Sequence, residues 1–105
     1  LRQYEVVWVN LDPTIGSEMK KILPCVILSP NEMNRYLKTI IIAPMTTTSK
    51  PYPTRVAVDL EDVSGWIALD QIRILDRTRV FRKAAILDLA TVAMIKRVIR
   101  EMLVD

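Results

Sequence analysis

The chain has no histidine, one cysteine and two glycines in 105 residues. Without histidine it has no Ser–His–Asp triad, no imidazole pair for general acid–base chemistry and no His-ligated metal. The lone Cys25 excludes an internal disulfide and a cysteine-rich zinc site. No apolar run approaches the ~20 residues needed to cross a bilayer, and no signal-peptide layout opens the sequence. A cytoplasmic protein with no membrane partner and a reduced Cys25 is therefore expected. Because the sequence opens on Leu1 rather than Met, its extreme N-terminus is expected to have been trimmed. No repeat, low-complexity tract or Ser/Gly linker divides it, so residues 1–105 read as one domain.

Half of the residues are hydrophobic and 26% are charged, enough apolar material for a compact core and an argument against disorder. Fifteen Lys and Arg against twelve Asp and Glu leave a net charge of +3. That mild excess suits either a polyanionic partner or an ordinary solvated surface.

Tyr4 to Asn10 is rich in β-formers and alternates, which predicts a strand. Asp12-Pro13-Thr14-Ile15-Gly16 has turn chemistry, Ser17 to Leu23 reads as a loop, and Pro24 to Ser29 as a second strand. Ser29-Pro30-Asn31-Glu32 resembles a helix start, with Ser29 as N-cap and Glu32 completing a capping box, followed by one or two turns through Tyr36. Thr39 to Pro44 is a β-branched run expected to form a central strand buried on both faces. Thr54 to Asp59 alternates as a half-exposed strand, and Gly65 to Leu69 and Val80 to Ile86 add two more. From Asp88, a candidate cap, the period becomes helical: Val92, Ile95, Ile99 and Met102 form one stripe, joined by Leu89, Val98 and Leu103. The expected fold is mainly β with helices (α+β), a small bent antiparallel sheet or barrel with a C-terminal amphipathic helix.

Four blocks carry a family likeness. Asn10-Leu11-Asp12-Pro13-Thr14-Ile15-Gly16-Ser17-Glu18, Pro24-Cys25-Val26-Ile27-Leu28-Ser29-Pro30, Ala43-Pro44-Met45-Thr46-Thr47 and Asp70-Gln71-Ile72-Arg73 occur in this order. Together they resemble the MazF/PemK (Kid) toxins, the ribonuclease components of type II toxin–antitoxin pairs. The resemblance implies an SH3-like barrel and a homodimer that cleaves single-stranded RNA without a metal or other cofactor. A ribose 2′-OH would attack the adjacent phosphorus, leaving a cyclic phosphate and a free 5′-OH. It also implies an antitoxin whose acidic, partly disordered tail folds over the basic groove.

Such chemistry needs a base, an acid and donors to the phosphorane. By resemblance, Thr46 is a catalytic donor and Asp70 is the base proposed in the Kid branch. Ser17, Glu18, Lys20, Lys21, Thr47, Thr48, Gln71 and Arg73 become candidate RNA contacts. Their plainer readings are turn chemistry for Thr47 and Thr48, solvated charge for Lys20 and Lys21, and a surface ion pair for Glu18. Arg73, Arg77, Arg79, Arg82 and Lys83, interleaved with Phe81, read either as an RNA-tracking segment or as a solvated strand face. Trp8 and Trp66 lie in apolar strand patterns and read as core or dimer anchors.

The chain departs from the family at a central position. Where the family runs Glu-Gln-x-Gly-x-Arg-Pro, the sequence is Glu18-Met19-Lys20-Lys21-Ile22-Leu23-Pro24. Leu23 thus vacates the catalytic arginine position, Ala68 stands at Kid's paired basic residue and Ser17 at its loop histidine. Either Lys20, Lys21 or Arg73 partly replaces the guanidinium, or activity is strongly reduced. Two other readings are an inactive RNA- or antitoxin-binding member of the fold and a CcdB-like gyrase poison. The ending Met102-Leu103-Val104-Asp105 lacks the Trp-Gly-Ile of such poisons.

Overall fold

In a computed structural model of the chain, the described residues are 1–11 and 22–105. The expected turn at 12–16 and most of the expected loop fall outside them. Three strands form the centre: β1 (Glu5–Asn10), β2 (Ile22–Ile27) and β3 (Thr39–Thr46). Each reads as a nearly unbroken apolar run because each buries side chains on both faces. Val6, Val26, Ala43 and Met45 enter one cluster, whereas Val7, Val9, Cys25, Ile27, Ile40 and Ile42 enter a second. β2 begins two residues earlier than expected, and Leu28 and Ser29 lie beyond its end.

β4 (Arg55–Asp59) and β5 (Ser64–Ala68) form an antiparallel hairpin. Only one face of β4 is covered, so it alternates: Val56 and Val58 are buried while Ala57 and Asp59 are exposed. β6 (Arg73–Asp76) and β7 (Val80–Ile86) follow, separated by a 3₁₀ turn over Arg77–Arg79. The expected single basic segment from Arg73 to Lys83 is thus two strands. β6 escapes a pattern search because only Leu75 among its four residues is buried.

Among the described residues the strands form one curled, wholly antiparallel sheet in the order β4-β5-β3-β2-β1-β7, with β6 also paired to β3. One edge of β3 therefore serves two partners. Thr39 to Ile42 pair with β6, and Met45 and Thr46 pair with β5. The Leu69–Gln71 3₁₀ turn connects those partners.

The short helix α1 (Asn31–Tyr36) starts differently from the capping-box expectation. Pro30 is the N-cap and no side chain caps the turn. Ser29 is buried and bonds instead to Asn34 Oδ1, while its Oγ accepts from the Ile41 N–H at 3.1 Å. Asn34 Nδ2 returns a bond to the Ser29 carbonyl at 2.9 Å. These bonds satisfy both buried side chains and pin α1 to β3.

The C-terminal helix α2 (Leu89–Ile99) has Asp88 as its N-cap, the carboxylate accepting from the Thr91 N–H at 3.2 Å. Ile95 and Val98 are buried in the first cluster, with Val92, Ile99 and Met102 packed against it, as the stripe predicts. Leu89 and Leu103 depart from that expectation. They are 88% and 67% exposed, since they occupy terminal turns beyond the reach of the cluster. The last turn widens into a π-helix over Arg100–Val104. No helix among the described residues is long and apolar enough to cross a membrane.

Candidate functional site

Strand parity sorts the site residues by face. Ile40 and Ile42 of β3 lie in the second cluster, so Thr46, at an even interval from them, belongs to the same face at the strand's end. Leu23 belongs to that face with Cys25 and Ile27, and packs against the second cluster half-buried. Extending the pairing Cys25↔Pro44 by two residues sets Leu23 across from Thr46. On the other side Thr46 pairs with Trp66, which pairs in turn with Ala57. The next row on this face holds Arg55 opposite Ala68.

Thr46 Oγ1 is buried and has no hydrogen-bond partner among the described residues. A hydroxyl offers one donor and two acceptor sites, and burying it unpaired costs about 1–3 kcal/mol. Beside it, the Thr46 carbonyl is crowded by the backbone of Gly65. That residue has φ +149°, and a Cβ there would collide with the Thr46 oxygen. The β4–β5 hairpin thus approaches the end of β3 at a point that only glycine permits.

Asp70 lies in the Leu69–Gln71 turn and is clasped by Arg55. Arg55 Nε donates to Asp70 Oδ1 at 2.7 Å and Nη2 to Oδ2 at 3.1 Å, while Thr54 Oγ1 donates to Oδ1 at 3.0 Å. The remaining terminal nitrogen, Nη1, donates to Ser49 Oγ at 3.1 Å, and the Tyr52 ring centroid lies 5.6 Å from the guanidinium carbon. The hydrogen bonds from Arg55 hold the Asp70 carboxyl below the usual carboxylate range, with Thr54 adding to the effect. The same contact raises the pKa of Arg55.

The other expected residues are dispersed around these two features. Thr47 and Thr48 are exposed as the chain leaves β3, and Gln71 is exposed in the turn beside Asp70. Arg73 opens β6 opposite Ile42 and is exposed. Its charge offsets part of the burial effect on Cys25, whose thiol is nevertheless pushed up to about 12, protonated and unreactive at neutral pH. Ala68 is fully buried on β5. Ser17, Glu18, Lys20 and Lys21 lie outside the described residues. Trp8 packs on the first cluster with Arg82 5.4 Å over its ring, as a core anchor would.

Arg55, Thr54 and Ser49, which form the hydrogen-bonded surroundings of Asp70, were not among the residues expected from sequence. Arg55 and Asp70 are fifteen positions apart, and only the register of the β4–β5 hairpin joins them. The available signal was a basic residue on the exposed parity of an alternating strand, which is an ordinary pattern.

Comparison with known proteins supplies the family context. Residues 2–103 match the family described as the PemK-like, MazF-like toxin of type II toxin–antitoxin systems. The chain is 36% identical over 69 residues to the endoribonuclease toxin MazF of Escherichia coli K12, covering 66% of this chain and 62% of that protein. The match thus spans less than two thirds of the Escherichia coli relative. It is 34% identical over 89 residues to the endoribonuclease MazF of Staphylococcus saprophyticus, covering 79% and 74% of the two chains. The crystal structure of MazF from Deinococcus radiodurans superposes with a TM-score of 0.82 at 28% identity, covering 98% of this chain and 96% of that one. MazF in a MazE–MazF structure from the same organism gives 0.85 at 27% identity, covering 98% and 95%.

Proposed function

The chain belongs to the PemK/MazF family of type II toxin–antitoxin toxins, and from that premise we propose that residues 1–105 form one cytoplasmic toxin domain that cleaves single-stranded RNA. The observation that carries this reading is the unpartnered Thr46 hydroxyl, buried at the end of β3 on the face shared with Leu23. An oxygen held without a partner is preorganised for a ligand, and a phosphate oxygen suits a hydroxyl donor. Relatives named as endoribonucleases, and a MazE–MazF structure from Deinococcus radiodurans, support an RNA substrate and an antitoxin partner. The family resemblance adds a homodimer.

The 2′-OH of one nucleotide gives its proton to a solvent water and attacks the neighbouring phosphorus. The P–O5′ bond breaks, the 5′ oxygen takes a proton from solvent, and a 2′,3′-cyclic phosphate remains. Thr46 donates to a non-bridging oxygen as charge builds in the phosphorane. Leu23, across from it, can neither donate nor exchange a proton. Loss of one such donor typically lowers the rate by ~10²–10³-fold. Thr47, Thr48, Gln71 and Arg73, exposed in the structure, are the proposed RNA contacts; Ser17, Glu18, Lys20 and Lys21, outside the described residues, join them on the family resemblance alone.

The test is incubation with a single-stranded RNA in the presence of a chelator, followed by end-group analysis. Products ending in a cyclic phosphate and beginning with a 5′-OH are expected. Leu23→Arg is expected to raise the cleavage rate at least tenfold; equal rates for the two proteins would reject the assigned role of that position. Retention of RNA by both proteins without cleavage would favour a binding member of the fold, the reading that Leu23 itself favours. Trapping of gyrase on DNA would favour the poison.

A further inference from the structure

We propose that Arg55, oriented by Asp70, is the phosphate-binding guanidinium of this site, and that Asp70 is a positioning residue. The inference rests on the RNA-cleaving reading and assigns within it the charge that Leu23 does not carry. A guanidinium has five N–H donors. Asp70 takes one from Nε and one from Nη2, and Ser49 takes one from Nη1. Among the described residues no acceptor meets the other two, one on each terminal nitrogen. Those two N–H groups stay available to the oxygens of a phosphate, the ligand to which a guanidinium fork is suited.

The fork is also fixed in place. The Arg55 side chain is 12% exposed, clamped on one edge by the carboxylate, on another by Ser49, and flanked by the Tyr52 ring. Little rotamer entropy is left to lose when an anion binds. Arg55 and Thr46 share a sheet face, two strands and one row apart through Trp66 and Ala68. Standard strand spacing and rise put their Cα atoms about 12 Å apart, a gap that an arginine side chain and one phosphate fill. Ser49, which touches the guanidinium, is three residues beyond Thr46 on the same strand exit. Arg73, another cation of this face, stands four residues along β3 from Thr46 and is exposed, with no such clamp among the described residues.

The test uses a fluorescent single-stranded oligonucleotide with deoxyribose at the cleavage position, which binds but cannot be cut, beside the cleavable RNA. Arg55→Gln is expected to weaken binding about tenfold and to lower the slope of log affinity against log salt by about 0.7, the signature of one lost phosphate contact. Arg55→Lys keeps the charge without the fork; the salt slope is retained while affinity falls. Asp70→Asn is expected to weaken binding in the same direction, and the double variant to be no worse than Arg55→Gln alone. Leu23→Arg placed in the Arg55→Gln protein is expected to restore cleavage.

Three results would overturn the inference. One is an Arg55→Gln protein with a lower melting temperature but unchanged affinity and salt slope, since Arg55 is then only a brace for the hairpin. Another is Asp70→Asn with unaltered binding and abolished cleavage, which makes Asp70 the base. The third is wild-type protein that neither binds the oligonucleotide nor cuts the RNA, which removes the RNA reading itself. In the first two cases that reading survives.

Discussion

Thr46 carries a hydroxyl that the fold buries and does not satisfy, so its replacement separates stability from function. Thr46→Val removes the unpaired oxygen and keeps the branched shape. The expected result is a protein more stable by about 1 kcal/mol, read by urea unfolding, with RNA cleavage reduced at least a hundredfold. A residue of purely structural value would show the opposite ordering. The position of Thr46 was legible because a family block surrounds it and the β-branched run before it fixes the strand. Asp70 was legible in position but not in circumstance. The sequence shows a carboxylate next to Gln71, whereas its hydrogen bonds come from Arg55 and Thr54, fifteen and sixteen positions away.

Among the elements, the β4–β5 hairpin depends on one glycine. Gly65→Ala combines a positive φ with a Cβ directed at the Thr46 carbonyl oxygen, and the neighbour is backbone that cannot swing aside. A loss of roughly 2–3 kcal/mol is expected in chemical unfolding, with Thr46 displaced and cleavage reduced in parallel. The helix α2 gives a milder case: Asp88→Ala removes the acceptor for the Thr91 N–H and is expected to lower the melting temperature by a few degrees without altering RNA binding. Elements with a β-rich run or a regular apolar period were readable from sequence, namely β1, β3, β4, β5, β7 and the buried stripe of α2. β6 was not, because a four-residue strand with one buried side chain has no alternation to read. Ser29 misled for another reason. Its hydroxyl has a long-range competitor in Asn34 and Ile41 that local capping rules do not contain.

At the scale of the molecule, stability toward acid rests on carboxylates held below their usual range. Asp70 is lowered by Arg55, Asp76 by the Thr78 backbone and hydroxyl, and Asp88 by Thr91. A depressed folded pKa contributes stability that is fully present above the unfolded value of about 3.9 and is lost as pH falls through the folded one. Unfolding free energy is therefore expected to be flat near neutrality and to decline below about pH 4. Asp70→Asn is expected to make that decline shallower, as measured by urea unfolding between pH 5 and pH 2. The overall charge was legible from composition. The distribution of these acids was not, since each owes its shift to a hydrogen bond formed by folding.

The divided edge of β3 sets how the molecule loosens. Its backbone amides are shielded by β2 on one side and, in succession, by β6 and β5 on the other. The chain at the two ends of the sheet, β4 and β7, has a single strand neighbour each. In deuterated solvent, exchange is thus expected to proceed inward from those margins, with β3 among the slowest segments. Thr46 sits at the end of this protected strand. Thr46 is consequently held by the part of the protein that opens last, whereas Arg55 rides on the marginal strand β4, so a breathing periphery would part the two before the centre gives way.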